Sequence, residues 1–520
     1  YEIASCLVGS EMCIRDRIIS NRTRTFIMVG LFLGMFIASF NGTVVEVCGP
    51  VIASELNGGA LFAWMTVIYM LCETITIPIA GKLSDKYGRR PLFLIGCGIF
   101  LFGSLLAGLS NSIELFLFSR ALQGFGGGIM IPVSTAAVGD LYDSHKRGKM
   151  LGMINSLFAI GSGIGPIIGG YIAEVTSWHW AFFVNVPLFI TCFAIVASCY
   201  PKTERQSTER MDYLGTALIS TAILIILLLF QFAGSKFDWF SAQSMLMILA
   251  IIILLFGFVI GERKARDPLM PLHLFRNRTI AASMLYLLVI GIIMFGSLAY
   301  ISFLGIKVLG FTPMEAGIFT LGMGLGMTLT SFLSGMLLER TGYRIWLIIG
   351  PILCCVGLLA MSRITVDTTV LYYVVSSTVL GLGVGCVMSI LVTAAQNNAE
   401  QNEMGITTSA VSMMRNIGST VGTAVFAGII NGRLSQELAN ALPDDVYSQV
   451  PHDTGILDDG IVSLLRNLAD GTDELLDRCI SAVANSIDYA FLVGGCISIF
   501  VVLLAFFFKG RRTTKKDETI

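Results

Sequence analysis

The chain has 520 residues, of which 55% are hydrophobic and 13% charged, and its formal net charge is -1. Soluble domains carry about 25% charged residues, so this composition excludes an ordinary soluble protein. The sequence has no basic patch of the kind that binds phosphate backbones, which excludes a nucleic-acid partner as a working hypothesis. Uncharged stretches such as 26–40, 217–230 and 492–508 approach the roughly 20 residues of helix that cross a bilayer. The composition therefore predicts a polytopic membrane protein.

The apolar stretches predict fourteen membrane-spanning segments. Only helices fit, because every backbone polar group in lipid needs an internal partner. In chain order the predicted spans cover residues 25–49, 61–80, 91–109, 114–138, 150–172, 180–199, 213–233, 243–261, 280–304, 314–338, 345–362, 371–394, 406–430 and 488–508.

The basic residues predict the orientation of these spans. Of the 34 Lys and Arg residues, 26 fall on the same side as the N-terminus, six on the other side, and Arg120 and Arg415 lie within spans. Lys and Arg are concentrated in cytoplasmic loops. A single missed or added helix would destroy the asymmetry, so the sequence predicts an even number of spans and cytoplasmic termini.

The spans suggest a division into two bundles. We expect a six-helix bundle at 25–200, inserted helices at 213–261 and a second bundle at 280–508, with cytoplasmic linkers at 201–212 and 262–279 and a tail at 509–520. Residues 1–24 form a doubtful N-terminal segment, because residues 1–17 begin without Met and lack the shape of a signal peptide. The outer loop 431–487 is either largely irregular or contains amphipathic helices near 461–468 and 475–483.

Two loop segments resemble each other and occupy equivalent places after the second and tenth spans. Both read Gly, three residues, an acid, a base, one residue, Gly, one residue, Arg: Gly81-Lys-Leu-Ser-Asp85-Lys-Tyr-Gly88-Arg89-Arg90 and Gly335-Met-Leu-Leu-Glu339-Arg340-Thr-Gly342-Tyr-Arg344. Such a repeat is typical of a transporter built from two related halves. Asp85 at the membrane edge is suited to meet a helix N-terminus or an Arg of the other half. We interpret the motif as a gate latch; the alternative is a solvated basic loop.

The fifth span carries a glycine-rich motif with one proline. Glycines four apart form a flat groove for close helix packing, and proline removes a helical hydrogen bond. The motif is consistent with a hinge between the halves, or with tight packing alone. It comprises Gly161, Gly165, Pro166, Gly169 and Gly170.

Taken together, these motifs resemble those of the major facilitator superfamily. The loop 81–90 is similar to its cytoplasmic signature, Arg120-Ala-Leu-Gln123-Gly-Phe-Gly-Gly-Gly to its fourth-span motif, and 161–170 to its antiporter motif. The stretch 40–50, with 178–187 and 415–418, resembles the fourteen-spanner drug:proton antiporters of the EmrB/QacA type. The resemblance covers residues 25–510. It implies an all-α membrane protein with the major facilitator fold, two six-helix bundles and two inserted helices, in a bacterial plasma membrane.

Acids within spans are the candidate proton carriers. A carrier must be a desolvated carboxyl that exchanges its proton near physiological pH. Members of that family usually have an acid in the first span where this sequence has Asn41. Because the Asn41 amide cannot pick up a proton, the candidate carriers are other acids. Glu73, one helical turn after Tyr69, is our first choice, and Glu46 is the second. The alternative role for each is as a structural partner of an intramembrane Arg or a cation-recognising group.

Two arginines inside spans complete the predicted site. An intramembrane Arg normally faces a wet cavity or an acid. The resemblance implies that Arg120 couples proton binding to drug binding; the alternative is a structural pair. Tyr69, Gln123, Arg415 and Asn416 are candidates for the substrate cavity.

The sequence thus predicts a proton-coupled exporter of amphipathic or cationic compounds, not an enzyme. It has no phosphate-binding loop, no nucleophile–base constellation and no metal-ligand spacing among its 12 cysteines, so we expect no cofactor. The expected partners are the substrate, protons and the lipid bilayer, with an accessory membrane-fusion protein as a further hypothesis and a monomer as the expected state. The alternatives are an exporter of a lipid, peptide or metabolite with the same fold, and, from another class, a channel or membrane sensor.

Overall fold

The computed structural model describes most of the chain. The described residues are 20–56, 61–201, 212–232, 237, 240–265, 268, 270, 272–305, 313–364, 368–400, 403–442 and 473–508. The expectations for residues 1–17, for a helix at 461–468 and for the tail at 509–520 lie outside them.

The described residues form α-helices and contain no β-strand. In chain order the helices are α1 (Asn21–Glu55), α2 (Phe62–Tyr87), α3 (Arg89–Gly108), α4 (Ile113–Leu141), α5 (Ser144–Val175), α6 (His179–Phe183), α7 (Asn185–Cys199), α8 (Tyr213–Phe232), α9 (Ala242–Lys264), α10 (His273–Arg276), α11 (Arg278–Phe303), α12 (Pro313–Thr341), α13 (Tyr343–Met361), α14 (Val370–Gln396), α15 (Met404–Ala441) and α16 (Asp473–Val501), which a 3-10 helix (Val502–Phe507) continues.

Each predicted span coincides with one of these helices, with α6 and α7 together forming the sixth. Within the described part of the chain, twelve helices are long and apolar enough to cross a membrane. The two other predicted spans, α8 and α15, do not meet this criterion, each for a separate reason. The apolar stretch of α8, Leu214–Phe230, is shorter, and α15 is less apolar than the rest. Because most of the first half of α15 is buried, its polar residues meet protein rather than lipid.

The helices pack as two bundles with the same internal arrangement. In the first bundle α1 packs on α5 and α7, and α4 on α2 and α3; in the second α11 packs on α15 and α16, and α14 on α12 and α13. Across the bundles, α5 contacts α12 and α2 contacts α15, two pairs that the same repeat relates to each other. The repeated packing agrees with the repeated loop segments.

The helix pair α8–α9 lies outside both bundles. Helix α8 packs against α2 and α15, where the two bundles meet. Helix α9 packs mainly on α8 and exposes large apolar side chains, among them Leu246 (69% exposed) and Phe256 (68% exposed). A helix of this kind is stable in lipid and unfavourable in water.

The two ends of the bundles differ in character. We call the end where α2 leads into α3 the basic end, because Lys82, Lys86, Arg89, Arg90 and Arg147 lie there. At the opposite end α16 begins at Asp473, fifteen residues before the last predicted span. Helix α16 begins earlier than the predicted span because its first turns are amphipathic. Cys479, Ala482, Val483 and Ile487 are buried, whereas Ser481 and Asn485 are exposed.

Candidate functional site

The central feature of the site is a hydrogen bond that joins the two bundles. Glu73, in the middle of α2, is only 8% exposed. The side-chain amide of Asn416, on α15, donates to its Oε1 over 3.0 Å. Glu73 lies near the middle of α2 and Asn416 about a third of the way along α15, and the two helices pack against each other across the interface. A group that changes protonation at this position therefore acts directly on the contact between the halves.

Arg415 lies beside this hydrogen bond. Its guanidinium is within electrostatic reach of Glu73 and lies over the ring of Phe158, on α5, at 5.7 Å from the ring centre. Its contacts to Asn416 Oδ1 are long, at 3.4 Å. Glu73, Asn416 and Arg415 thus form one cluster at the bundle interface, which we call the central cluster.

Arg120 belongs to a second, neighbouring group inside the first bundle. It is fully buried, and its Nε donates to the carbonyl oxygen of Met65 over 3.0 Å. Its Nη1 donates to Gln123 Oε1 over 2.7 Å and to the backbone carbonyl of Asn41 over 3.4 Å. The guanidinium lies 4.4 Å from the ring centre of Tyr69. These contacts tie α1, α2 and α4 together, and Tyr69, one turn from Glu73, connects this group to the central cluster.

The two remaining candidates for proton coupling, Asn41 and Glu46, lie on α1. The side chain of Asn41 donates to the carbonyl of Ile37 over 3.1 Å, and its Oδ1 has no hydrogen-bond partner among the described residues. Glu46 lies further along α1, but its side chain is outside the described part, so its role stays a prediction.

The contacts of Arg120 predict a stabilising role that can be measured. We expect Arg120→Met to lower the free energy of unfolding by about 2 kcal/mol or more, because Gln123 and two backbone carbonyls lose a buried donor. Thermal unfolding in detergent, compared with Arg433→Met at a partly exposed position, measures the difference. Equal unfolding temperatures for the two variants would contradict the prediction.

At the basic end, Asp85 joins the halves a second time. Its carboxylate accepts backbone N–H groups of Gly405 (2.9 Å) and Ile406 (2.8 Å), at the N-terminus of α15. Arg89 Nη1 pairs with Asp85 Oδ1 at 2.6 Å, and Arg89 Nε pairs with Asp140 Oδ2 at 2.8 Å. An anion is favoured at a helix N-terminus because the unpaired N–H groups and the helix dipole point towards it. We call this arrangement the Asp85 latch.

Other residues of the first loop motif shape the latch. Gly88, which joins α2 to α3, has a φ of 94°, a conformation that glycine adopts at little cost. A Cβ on Gly81 would lie 2.9 Å from the Gly405 carbonyl oxygen, so a side chain there would push α15 away. Arg90 donates to the carbonyl of Ala197 at the end of α7. Nearby, burial and the Asp140 carboxylate raise the pKa of the Tyr200 hydroxyl, which keeps it neutral.

The second copy of the motif repeats the backbone turn of the first. Gly342 has a φ of 73°, as Gly88 has a positive φ at the equivalent place. Glu339, Arg340 and Arg344 are exposed, and the Arg344 guanidinium lies 5.2 Å from the ring centre of Phe506. Gly335 permits close approach of α5, since a Cβ on Gly148 would lie 3.0 Å from the Gly335 carbonyl oxygen.

The fifth-span motif packs against α1. A Cβ would lie 2.8 Å from the Phe36 carbonyl oxygen on Gly161, 3.1 Å from that of Phe40 on Gly165, and 3.2 Å from Val44 Cγ1 on Gly169. The three glycines therefore form a groove that α1 fills. Gly170 is partly exposed, and Pro166 lies within α5.

Comparison with known proteins assigns the family. The family model described as Major Facilitator Superfamily matches residues 31–423. The chain belongs to the major facilitator superfamily. The multidrug transporter protein MdtP of Bacillus subtilis is 31% identical over 86% of this chain and 84% of its own length. Multidrug resistance protein 3 of the same organism is 29% identical over 94% of this chain and 96% of its own length. A fungal relative, efflux pump dotC of Dothistroma septosporum, is 29% identical over 77% of this chain and 70% of its own length.

Solved structures agree with the fold. The human organic anion transporter MFSD10 superposes with a TM-score of 0.63 at 14% identity, covering 93% of this chain and 99% of its own. The proton:xylose symporter XylE superposes with a TM-score of 0.62 at 12% identity, covering 94% and 96%. These superpositions agree with the fold, and the match to the Major Facilitator Superfamily model makes the chain a membrane transporter rather than an enzyme.

The sequence analysis missed several polar contacts between the halves of this transporter. Gln396 Nε2 donates to the Thr135 carbonyl over 3.0 Å, Arg147 Nη1 donates to Asn397 Oδ1 over 3.1 Å, and Asn155 Nδ2 donates to Ser389 Oγ over 3.2 Å. The sequence signal for the first two of these contacts is a pair of amide residues, Gln396 and Asn397, at the C-terminal end of the apolar helix α14. Every described hydrogen bond between the halves lies at the level of Glu73 or nearer the basic end. The structure is therefore closed at the basic end.

Proposed function

We propose that this transporter exports amphipathic compounds, driven by inward movement of protons, with Glu73 as the proton carrier. The observation that carries the proposal is the Glu73–Asn416 hydrogen bond, which places a buried carboxyl at the contact between the halves. Protonation of Glu73 removes its attraction to Arg415 and so weakens one link across the interface. The names of the relatives, two of them multidrug transporters and one an efflux pump, support export of foreign compounds.

The proposed cycle is alternating access. In the form closed at the basic end, a proton from outside binds Glu73 and the compound leaves. The halves then rock and the basic end opens; Glu73 releases its proton at that side, and the ionised acid binds the next compound. One charge crossing 100 mV contributes about 2.3 kcal/mol, and the proton gradient supplies this energy. The Asp85 latch holds the basic end closed in the first of these forms.

We further propose fourteen spans with the basic end in the cytoplasm, in a bacterial plasma membrane. The asymmetry of Lys and Arg supports the orientation, and the buried environment of α15 explains how a polar helix spans. Monomeric action is the simplest state for a chain that carries both halves, and docking of an accessory protein on residues 431–487 stays a hypothesis.

A pH gradient across proteoliposomes tests the proposal. We expect the native protein to accumulate a lipophilic cation, tetraphenylphosphonium, when the gradient is imposed, and a protonophore to abolish the accumulation. Absence of gradient-driven movement, in protein shown to be folded, would favour the second candidate, an exporter of a lipid, peptide or metabolite. Ionic current without stoichiometric exchange would instead indicate a channel.

A further inference from the structure

An open cavity lies between two helices of the second bundle, at the end opposite the basic end. The end of α15 and the start of α16 form its walls; its volume is about 400 Å³, and it is lined by Glu437, Asn440, Ala441, Arg478, Ser481, Ala482 and Asn485. Helix α15 begins at the Asp85 latch and runs away from it, so the cavity opens at the far side of the protein. Its polar lining suits water.

An acid, Asp488, follows the lining residues of the cavity along one face of α16. Arg478, Ser481, Asn485 and Asp488 are spaced by three, four and three residues, which places them on the same helical face. Asp488 is ten residues from Arg478, about 15 Å along the helix, within the apolar segment Arg478–Phe507. The last predicted span begins at this residue, at position 488. Because α16 starts at Asp473, Asp488 lies in the middle of the helix.

The surroundings of Asp488 contain no described group that neutralises it. Its Oδ1 is buried and has no hydrogen-bond partner among the described residues. Tyr373, on α14, is within electrostatic reach, but its hydroxyl donates to the Ile301 carbonyl on α11. On α15, Arg433 pairs with Glu437 at 2.7 Å and lies over Tyr489, the residue after Asp488. An acid in a candidate membrane span without a described basic partner is typical of proton-transfer sites.

We propose that Asp488 is a second proton-binding group of this transporter, reached by water from the far side through the cavity between α15 and α16. The coupling of this proton to export rests on the proposed function above; the access path does not. A second site with its own path allows a proton to be taken up in the second bundle while Glu73 serves the interface between the bundles.

The access path is tested by thiol labelling in a background without cysteines. We expect Asn485→Cys and Asp488→Cys to react with a charged, membrane-impermeant thiol reagent added at the far side. The control is the native Cys496 put back alone into the cysteine-free protein. It is an exposed residue two turns further along α16, and a thiol in lipid does not form the reactive thiolate. The expected rates are roughly tenfold or more above the control. Labelling of Asp488→Cys no faster than that of Cys496 would overturn the path.

The proton role is tested by transport of tetraphenylphosphonium. Each coupled proton multiplies the limiting accumulation by about ten per pH unit. We therefore expect Asp488→Asn to lower gradient-driven accumulation about tenfold at one pH unit, to leave exchange at equal pH intact, and to be rescued by Asp488→Glu. Native accumulation in Asp488→Asn, or loss of exchange that Asp488→Glu does not restore, would overturn the role. If native protein shows no gradient-driven accumulation, the proposed function and this coupling both fail, while the labelling still decides the path.

Discussion

Replacing Glu73 by Gln is expected to lower pH-gradient-driven accumulation about tenfold or more at one pH unit, while exchange of substrate at equal pH persists. Gln has nearly the shape of Glu, and its Oε1 still accepts the hydrogen bond from Asn416 that spans 3.0 Å in the native protein. It cannot bind or release a proton, so the halves still rock with substrate but the cycle loses the proton that Glu73 couples to export. Movement of tetraphenylphosphonium in proteoliposomes, with and without a pH difference, measures both activities.

The matched control is Glu114→Gln, which removes the same charge from an exposed position in the first turn of α4. We expect this variant to behave like native protein in both assays. Gradient-driven accumulation at the native level in Glu73→Gln would remove Glu73 from the carrier role and direct attention to Glu46. Loss of exchange as well as accumulation would show instead that Glu73 is needed for the conformational change itself.

Replacing Asp85 by Asn is expected to open the basic end and slow export by roughly tenfold or more. Hydrogen bonds to a charged group each contribute about 1.5–3 kcal/mol, and Asp85 accepts two backbone N–H groups of α15 in addition to the Arg89 ion pair. The neutral amide weakens all three contacts. Because about 1.4 kcal/mol changes a population ratio tenfold, the equilibrium shifts away from the closed form.

Labelling of a cysteine placed at Ser409, which Gly81 contacts in the closed form, reports this opening from the basic side. Glu339→Gln is the control, since Glu339 occupies the equivalent place in the second motif but is exposed. Asp85→Glu keeps the charge and should retain part of the latch. Unchanged labelling and unchanged export in Asp85→Asn would show that the latch does not hold the closed form.

The two sites are built on the same pair of helices. Asp85 and Glu73 lie on α2, twelve residues or about 18 Å apart, and their partners Gly405 and Asn416 both lie on α15. A movement of α15 relative to α2 therefore changes both contacts together. This arrangement gives a physical reason for a proton bound at mid-membrane to affect the gate at the basic end.

The sequence by itself determined the class, the helices and the family. Long uncharged stretches leave no other solution than spanning helices, and the repeated Gly-x3-acid-base motif with glycines at Gly88 and Gly342 indicated two related halves. It also identified Asp85 as a residue suited to a helix N-terminus, which the contact with Gly405 and Ile406 matches. These features depend on local chemistry or on composition, so they are readable from one chain.

Only the tertiary structure decided which residues meet. Glu73 and Asn416 are 343 residues apart, and no local pattern indicates that they share a hydrogen bond. Arg120 was expected to face an acid or a wet cavity; the structure places it within electrostatic reach of Glu73 and shows that it also bonds carbonyls and Gln123. Asp488 is the first residue of the last predicted span, and only the structure shows that α16 begins fifteen residues before it, at Asp473. Helix α16 begins earlier because its amphipathic turns are stabilised by burying one face against its neighbours, and that information lies in the packing of the bundle.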